Sequence, residues 1–411
     1  MSVTREEVRA WDGADPLRTF RGRFVLPPGV IYLDGNSLGP LPAATPGRIA
    51  AAVEHEWGER LIRGWNDADW IGAPARVGGK IAGLIGAAAH EVVVADSTSV
   101  NLFKLLAAAL GGRPGRTVIL TEAGNFPTDL YIAGGVASVL PGARLRAVAS
   151  GDVEAAIDED VAVVMLTHVH YKSAARRDMA AITARAHQAG ALALWDLSHS
   201  AGAVSVDLCG AGADLAVGCG YKYLNGGPGA PAFLFVAEAL HETLRSPLSG
   251  WMGHAAPFDF TDDYQPAAGI GRFLCGTPPI LGLLALEVGI DLALEADMGA
   301  VAAKSVRLWD LFGGQVEARC GGHGFELLTP RDAARRGSHI SFAHPEGYRI
   351  VQALIARGVI GDFREPDVLR FGITPLYLGY EDVWRAVETL YEVMQGEAWR
   401  AAPTRAIGAV T

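Results

Sequence analysis

The chain has 411 residues, half of them apolar, which is enough for a large core and more than one simple domain holds. Charged residues are sparse and Gly and Ala abundant, a balance that suits a compact enzyme and argues against disorder. Thirty-five Lys and Arg against 45 Asp and Glu give a formal charge of −10, with no basic cluster, so a nucleic-acid partner is not expected.

The first residues, MSVTREEVRAWDGADPLRTF, mix charges and contain no apolar core of a signal peptide. Apolar runs such as Val161 to Leu166 are far too short to span a membrane, so no membrane partner is expected. Cys209, Cys219, Cys275 and Cys320 form no CxxC pair, and no histidines cluster at ligand spacing, so no metal site is expected. Scattered cysteines in a chain this long suit a reducing compartment, and a cytoplasmic location follows.

From residue 92 onward, short β-branched runs alternate with Ala-rich helical stretches. Val92 to Ala95 reads as a strand and Val100 to Leu110 as the helix after it. Thr117 to Thr121 is a strand, Asp129 to Ala137 a helix, and Leu145 to Ala149 and Val161 to Thr167 are strands. Asp178 to Gln188 is helical, with strands at Ala191 to Asp196, Leu215 to Cys219 and Phe233 to Val236. Such alternation implies a mostly parallel sheet covered on both faces, its strands buried and continuously apolar. A long apolar helix pattern runs from Leu281 to Leu294. Beyond it lie a strand through Ile340 and Phe342, a helix from Gly347 to Arg357, and a strand from Val368 to Ile373. The expected organisation is an α/β fold with a large domain over 46–280. A smaller α/β C-terminal domain covers 281–411, and an N-terminal segment, 1–45, packs with it.

Asp196 ends a strand, where ligands of open α/β sheets gather. A carboxylate there either caps the following turn or keeps a pyridinium nitrogen protonated. Lys222 follows the next strand, in Gly220-Tyr221-Lys222-Tyr223-Leu224-Asn225, just before the turn cluster Asn225-Gly226-Gly227-Pro228-Gly229. A lone lysine in a turn is ordinarily solvated. An Asp and a Lys one strand unit apart, however, are the two fixed requirements for pyridoxal 5′-phosphate (PLP): an acid for its ring nitrogen and an amine for its aldehyde. Asp96-Ser97-Thr98-Ser99-Val100-Asn101 opens a helix and offers either an ordinary cap or an anion site for the phosphate. Phe126, in Phe126-Pro127-Thr128-Asp129, offers either a core side chain or a ring to stack on the pyridine.

The stretch Tyr221-Lys222-Tyr223-Leu224-Asn225 with Gly226-Gly227-Pro228-Gly229 resembles the lysine signature of the kynureninase family. Five more stretches resemble it in the same order: Tyr32-Leu33-Asp34-Gly35-Asn36-Ser37-Leu38-Gly39, Asn125-Phe126-Pro127-Thr128-Asp129, Trp195-Asp196-Leu197-Ser198-His199-Ser200-Ala201-Gly202, Gly250-Trp251 with Gly253-His254, and Arg370-Phe371-Gly372 with Pro375-Leu376-Tyr377. The resemblance implies the aspartate-aminotransferase fold, PLP fold type I, and a homodimer whose sites are shared between subunits. It implies a Schiff base of the cofactor on Lys222, a pyridinium partner in Asp196 and a stacked ring in Phe126. Thr98, Ser99 and Tyr221 hold the cofactor, mostly through its phosphate, and Asp129, Thr167 and His199 line its pocket. Trp251 and Thr277 match positions lent by the neighbouring subunit. Arg370 matches the clamp for the substrate α-carboxylate, and His55 aligns more loosely with a substrate-contacting histidine, a surface helix position being its alternative.

The implied reaction is hydrolysis of L-kynurenine, or of 3-hydroxy-L-kynurenine, to anthranilate or 3-hydroxyanthranilate and L-alanine, with Lys222, Tyr221 and Asp196 as catalytic groups. The pathway setting would be tryptophan catabolism or NAD biosynthesis. Gly220 stands where the bacterial pattern commonly has a hydroxyl residue, a departure that removes no catalytic group. Another fold-type-I lyase, such as a cysteine desulfurase or selenocysteine lyase, needs a loop with a nucleophilic cysteine, and none is evident. A silent regulator of this fold needs a DNA-binding extension, for which the chain has neither the length nor the basic charge.

Overall fold

The computed structural model describes residues 3–404. They group into two compact units. The larger comprises Thr45–Tyr171 and Arg177–Leu294, and the smaller gathers the residues up to Ala44, Lys172–Arg176 and those from Glu295 onward.

The larger unit is built on a seven-stranded sheet. Across it, in order, lie Val92–Val94, Phe233–Val236, Leu215–Gly218, Leu192–Asp196, Val161–Thr167, Val118–Glu122 and Arg144–Val148. The last five run parallel to one another. Phe233–Val236 is antiparallel to both its neighbours, so the sheet is mixed at one side. Every residue of Val161–Thr167 and Leu192–Asp196 is buried, as expected of strands covered on both faces. Arg144–Val148 departs from the expected burial. It forms the sheet edge, no residue in it is fully buried, and Arg144 and Arg146 give it the charge that discourages further strand pairing. Leu102, Leu105 and Leu106 of the helix Thr98–Gly111 pack with Ile119, Val163, Met165, Leu194 and Val217 in one core cluster. That core fixes the strand ends and the first turn of the helix that follows Val92–Val94.

The smaller unit carries a four-stranded antiparallel sheet in the order Glu326–Leu327, His339–Ala343, Val368–Gly372, Asp362–Arg364. Two helices that the sequence reading left unassigned, Met298–Cys320 and Tyr380–Gln395, pack on each other within it. The N-terminal segment joins this unit through a parallel pairing of Ile31–Tyr32 with Val359–Ile360. Among the described residues no helix is long and apolar enough to cross a membrane.

One boundary differs from the expectation. The helix Ile280–Leu294, placed from the sequence at the head of the small domain, clusters with the larger unit. It packs against the helix Ala73–Ile85, and its Gly289 lies directly on the backbone of Leu224 and Asn225, in the turn after Lys222. A side chain at residue 289 would collide with that backbone. Gly289→Ala should therefore cost about 1–3 kcal/mol of stability by overpacking. Urea unfolding measures this, and a variant as stable as the parent would show that the turn after Lys222 is not braced by this helix.

Candidate active site

Three parallel strands deliver the site. Thr167 and Asp196 are the last residues of adjacent strands and stand opposite each other in register. The third strand ends at Gly218, and four residues later the chain presents Lys222. A single pocket within the larger unit brings together Thr98, Ser99, Phe126, Asp129, Thr167, Asp196, His199, Tyr221 and Lys222.

Each side chain has a local reason for its position. Asp96 adopts a left-handed backbone, φ 48°, and its carboxylate pairs with Lys104, a wholly buried lysine whose Nζ also donates to the Phe273 carbonyl at 2.7 Å. That turn launches the helix Thr98–Gly111, whose N-cap Ser97 accepts the Val100 amide at 3.3 Å. The hydroxyls and early amides of this helix start suit an anion. Phe126 stands at the N-cap of the helix Pro127–Val139, with its amide donating to Asn125 Oδ1 at 2.7 Å. Its ring is 37% exposed, lies in the pocket and packs edge-on against Tyr171 at 5.3 Å. Lys222 Nζ stands 3.0 Å from His199 Nε2 and 5.7 Å from the Phe126 ring centre.

Asp196 does cap its turn: Oδ1 accepts the Ser198 amide at 2.7 Å. Its electrostatic setting adds a second property. Burial raises the Asp196 carboxyl above its ordinary range, against the pull of Ser198 and of Lys222. Burial and then the charge of Asp196 raise Asp129 further, well above a normal carboxylate. Asp129 Oδ2 receives Thr167 Oγ1 at 3.4 Å, but Oδ1 has no hydrogen-bond donor among the described residues. Two acids are thus buried beside one amine, both raised by burial, and a cationic ring N–H is the kind of group that relieves them. With an anion site, an exposed ring face and an amine alongside, the pocket fits PLP. Among the described residues no group of His, Cys, Asp or Glu is arranged to hold a metal ion.

Other expected site residues lie elsewhere. His55 sits on the π-helix Ala52–Glu59 with its side chain 60% exposed and Nδ1 2.9 Å from Glu59 Oε1, and it does not line the pocket. Trp251 is 39% exposed, stacks edge-on with Phe258 at 5.7 Å, and also stands outside the pocket, as does the exposed Thr277. Arg370 belongs to the smaller unit, on the strand Val368–Gly372. It is 2% exposed, and Nε donates to Asp362 Oδ1 at 2.8 Å while Nη2 reaches Asp362 Oδ2 and, at 3.0 Å, Ser37 Oγ.

Several residues escaped the sequence reading. Thr128, Tyr171 and Ser198 also line the pocket, as does Ser97 from the helix start read as a cap or an anion site, and Ser198 carried a signal in its two-residue spacing from Asp196, which an Asx turn requires. Asp362 stands opposite Arg370 across two antiparallel strands, a relation that no local motif encodes.

Residues 301–390 match the family model described as the kynureninase C-terminal domain. The chain is 53% identical to the kynureninase of Pseudomonas fluorescens over 415 residues, covering all of both chains. The chain belongs to the kynureninase family. The kynureninase of Burkholderia mallei (strain SAVP1) is likewise 53% identical, over 99% of this chain and all of the relative. Among solved structures, an apo cysteine desulfurase from Thermococcus onnurineus superposes with a TM-score of 0.76 at 20% identity, over 96% of this chain and all of the other. A C-DES variant with glycine covalently linked to its PLP cofactor gives 0.76 at 17% identity, over 90% and 99%. At such identities the likeness is one of fold, and that fold is PLP fold type I.

Around Arg370 of this kynureninase-family chain, one acid titrates near neutrality. Burial and then the Asp362 carboxylate push Asp34 up to about 7. Between about pH 4 and pH 7 the folded protein therefore keeps the Asp34 proton that the unfolded chain has lost. Stability attributable to Asp34 is full below that window and falls as pH rises through it. Asp34→Asn cannot ionise, so its stability relative to the parent should grow by on the order of 3 kcal/mol between pH 4 and 7 and then level off. Urea titrations at several pH values measure this, and a difference independent of pH would contradict it.

Proposed function

We propose that this protein is a PLP-dependent kynureninase that hydrolyses L-kynurenine, or its 3-hydroxy derivative, to anthranilate or 3-hydroxyanthranilate and L-alanine. The observation that carries the reading is 53% identity to curated kynureninases from end to end, in a chain whose strand ends converge on Lys222 and two buried acids. The desulfurase-like alternative rests on fold alone, at 20% identity.

PLP, when bound, is an electron sink for charge developing on the substrate carbon skeleton. The chain's residues give it a place and control the protons. Thr98 and Ser99 would hold the phosphate at the helix start, where the dipole favours an anion. Phe126 would stack on the ring, and Thr167 and His199 bound the pocket. Asp196 would keep a proton on the ring nitrogen, with Asp129, itself held towards its protonated form by burial and by Asp196, beside it. Lys222 would hold the aldehyde through its amine, and the same amine is the base for the substrate Cα proton. Burial raises the Tyr221 hydroxyl, so Tyr221 stays protonated at neutral pH and serves as a donor. Arg370 takes the substrate α-carboxylate in the bidentate manner that suits guanidinium. Water adds to the ketone carbon, the Cβ–Cγ bond breaks, the aryl carboxylate leaves, and a proton completes the methyl group of alanine.

The proposal includes a homodimer in which Trp251 and Thr277 serve the partner's site, and a cytoplasmic location. His55, exposed in the single chain, is assigned to substrate contact on the family resemblance alone.

Lys222→Ala should abolish release of anthranilate from L-kynurenine and the borohydride-reducible link to the cofactor. Mixing it with an inactive Thr277→Ala variant should restore part of the activity, because one hybrid site then has both residues intact. A reducible link that persists in Lys222→Ala would remove Lys222 from its role. Failure of the mixture to recover, with exchange of subunits demonstrated, would refute shared sites.

A further inference from the structure

Arg370 is a long cation in the middle of a sheet, and its orientation has to be fixed by something. Its neighbour in register across the antiparallel pairing is Asp362, which is fully buried. The Asp362 carboxylate engages the Nε–Nη2 edge of the guanidinium with both oxygens. Ser37 Oγ closes the arrangement, donating to Asp362 Oδ2 at 2.8 Å and receiving Arg370 Nη2 at 3.0 Å. With that edge held at two atoms, the guanidinium plane has one orientation, and its Nη1–Nη2 edge faces one direction.

The charge balance matters as much as the geometry. A single carboxylate on Arg370 would cancel the cation that a substrate carboxylate needs. Here Arg364 shares the same acid, with Nη2 2.7 Å from Asp362 Oδ2 and 3.3 Å from Ser37 Oγ. Two guanidiniums thus meet on one carboxylate, beside a rigidly held fork. Burial opposes ionisation of Asp362, but Arg370, Arg364 and Ser37 together outweigh it and hold the carboxyl below its ordinary range, so the acid stays charged.

We propose that Asp362, with Ser37, is a positioning residue for recognition of the substrate α-carboxylate, acting through Arg370. This rests on the reading of Arg370 as the carboxylate clamp. The pair is not merely a buried structural ion pair, because a structural pair needs neither the second guanidinium nor the hydroxyl that fixes the plane. Loss of Asp362 lets the guanidinium rotate, and the cost falls on binding of the carboxylate rather than on proton transfer at Cα.

The test uses the holoenzyme and two competitive probes, L-alanine and L-alaninamide, which share the amine and differ in the carboxylate. Asp362→Asn should raise KM for L-kynurenine about 10- to 100-fold with kcat changed much less, and should shrink the preference for alanine over alaninamide by a similar factor. In an Arg370→Ala background, Asp362→Asn should add little, since both changes act on one interaction. Ser37→Ala, which leaves the ion pair in place, should show a smaller shift of the same kind and decides the matter if Asp362→Asn does not fold. If Arg370→Ala abolishes the preference while Asp362→Asn and Ser37→Ala leave it intact, the positioning role is overturned and the clamp stands. If Arg370→Ala leaves the preference intact, it is the clamp assignment that fails.

Discussion

The structure turns on an electrostatic demand: two buried carboxyls, Asp129 and Asp196, meet one amine, Lys222, at the ends of parallel strands. Neither acid has solvent to share its charge, and each is raised by burial before any neighbour is counted. The sheet makes the arrangement possible. Leu192–Asp196 and Leu215–Gly218 are wholly buried strands locked by the core below, so Asp196 at the end of the first is held without freedom to swing into water. A helix start braced by Lys104 on Asp96, and a turn braced by Gly289, set the other walls.

The smaller unit solves a related problem in the opposite sense. There the cations outnumber the fully ionised acid: Arg364 and Arg370 share Asp362, and the nearby Asp34 is pushed towards its neutral form. One unit thus buries two acids where a protonated ring nitrogen would relieve them, and the other sets two guanidiniums on one carboxylate. Both are what a PLP enzyme of an amino-acid substrate requires, and both are built from side chains whose ionisation costs energy unless the ligand is present.

Much of this was legible in the sequence because it is local. The strand ending at Asp196 is a continuous apolar run with an acid at its last position, and the turn after Lys222 is dense in glycine. The pocket residues from Thr98 to Lys222 follow strand ends one after another, so reading strands in chain order reads the site as well. What escaped depends on tertiary pairing. Asp362 acquires meaning only by standing opposite Arg370, and Tyr171 only by packing on Phe126. Phe233–Val236 looks like any buried strand, and its antiparallel direction is fixed by its two neighbours rather than by its own residues. The helix Ile280–Leu294 is apolar except for Glu287 and Asp291, so its pattern did not reveal which unit it would pack with, and the bare Gly289 face against the Lys222 turn settled that.

The most direct test of the account is the charge of Asp196. Asp196→Asn retains a carbonyl oxygen for the Ser198 amide, so the turn and the fold are kept. The measurement is the rate at which the holoenzyme exchanges the Cα hydrogen of L-alanine with deuterated water. The account predicts a fall of about a hundredfold or more with PLP content largely retained, because the ring nitrogen has lost the acid that keeps its proton. Exchange at near the parent rate would show that Asp196 only caps its turn, and would contradict the central role given to the buried acids.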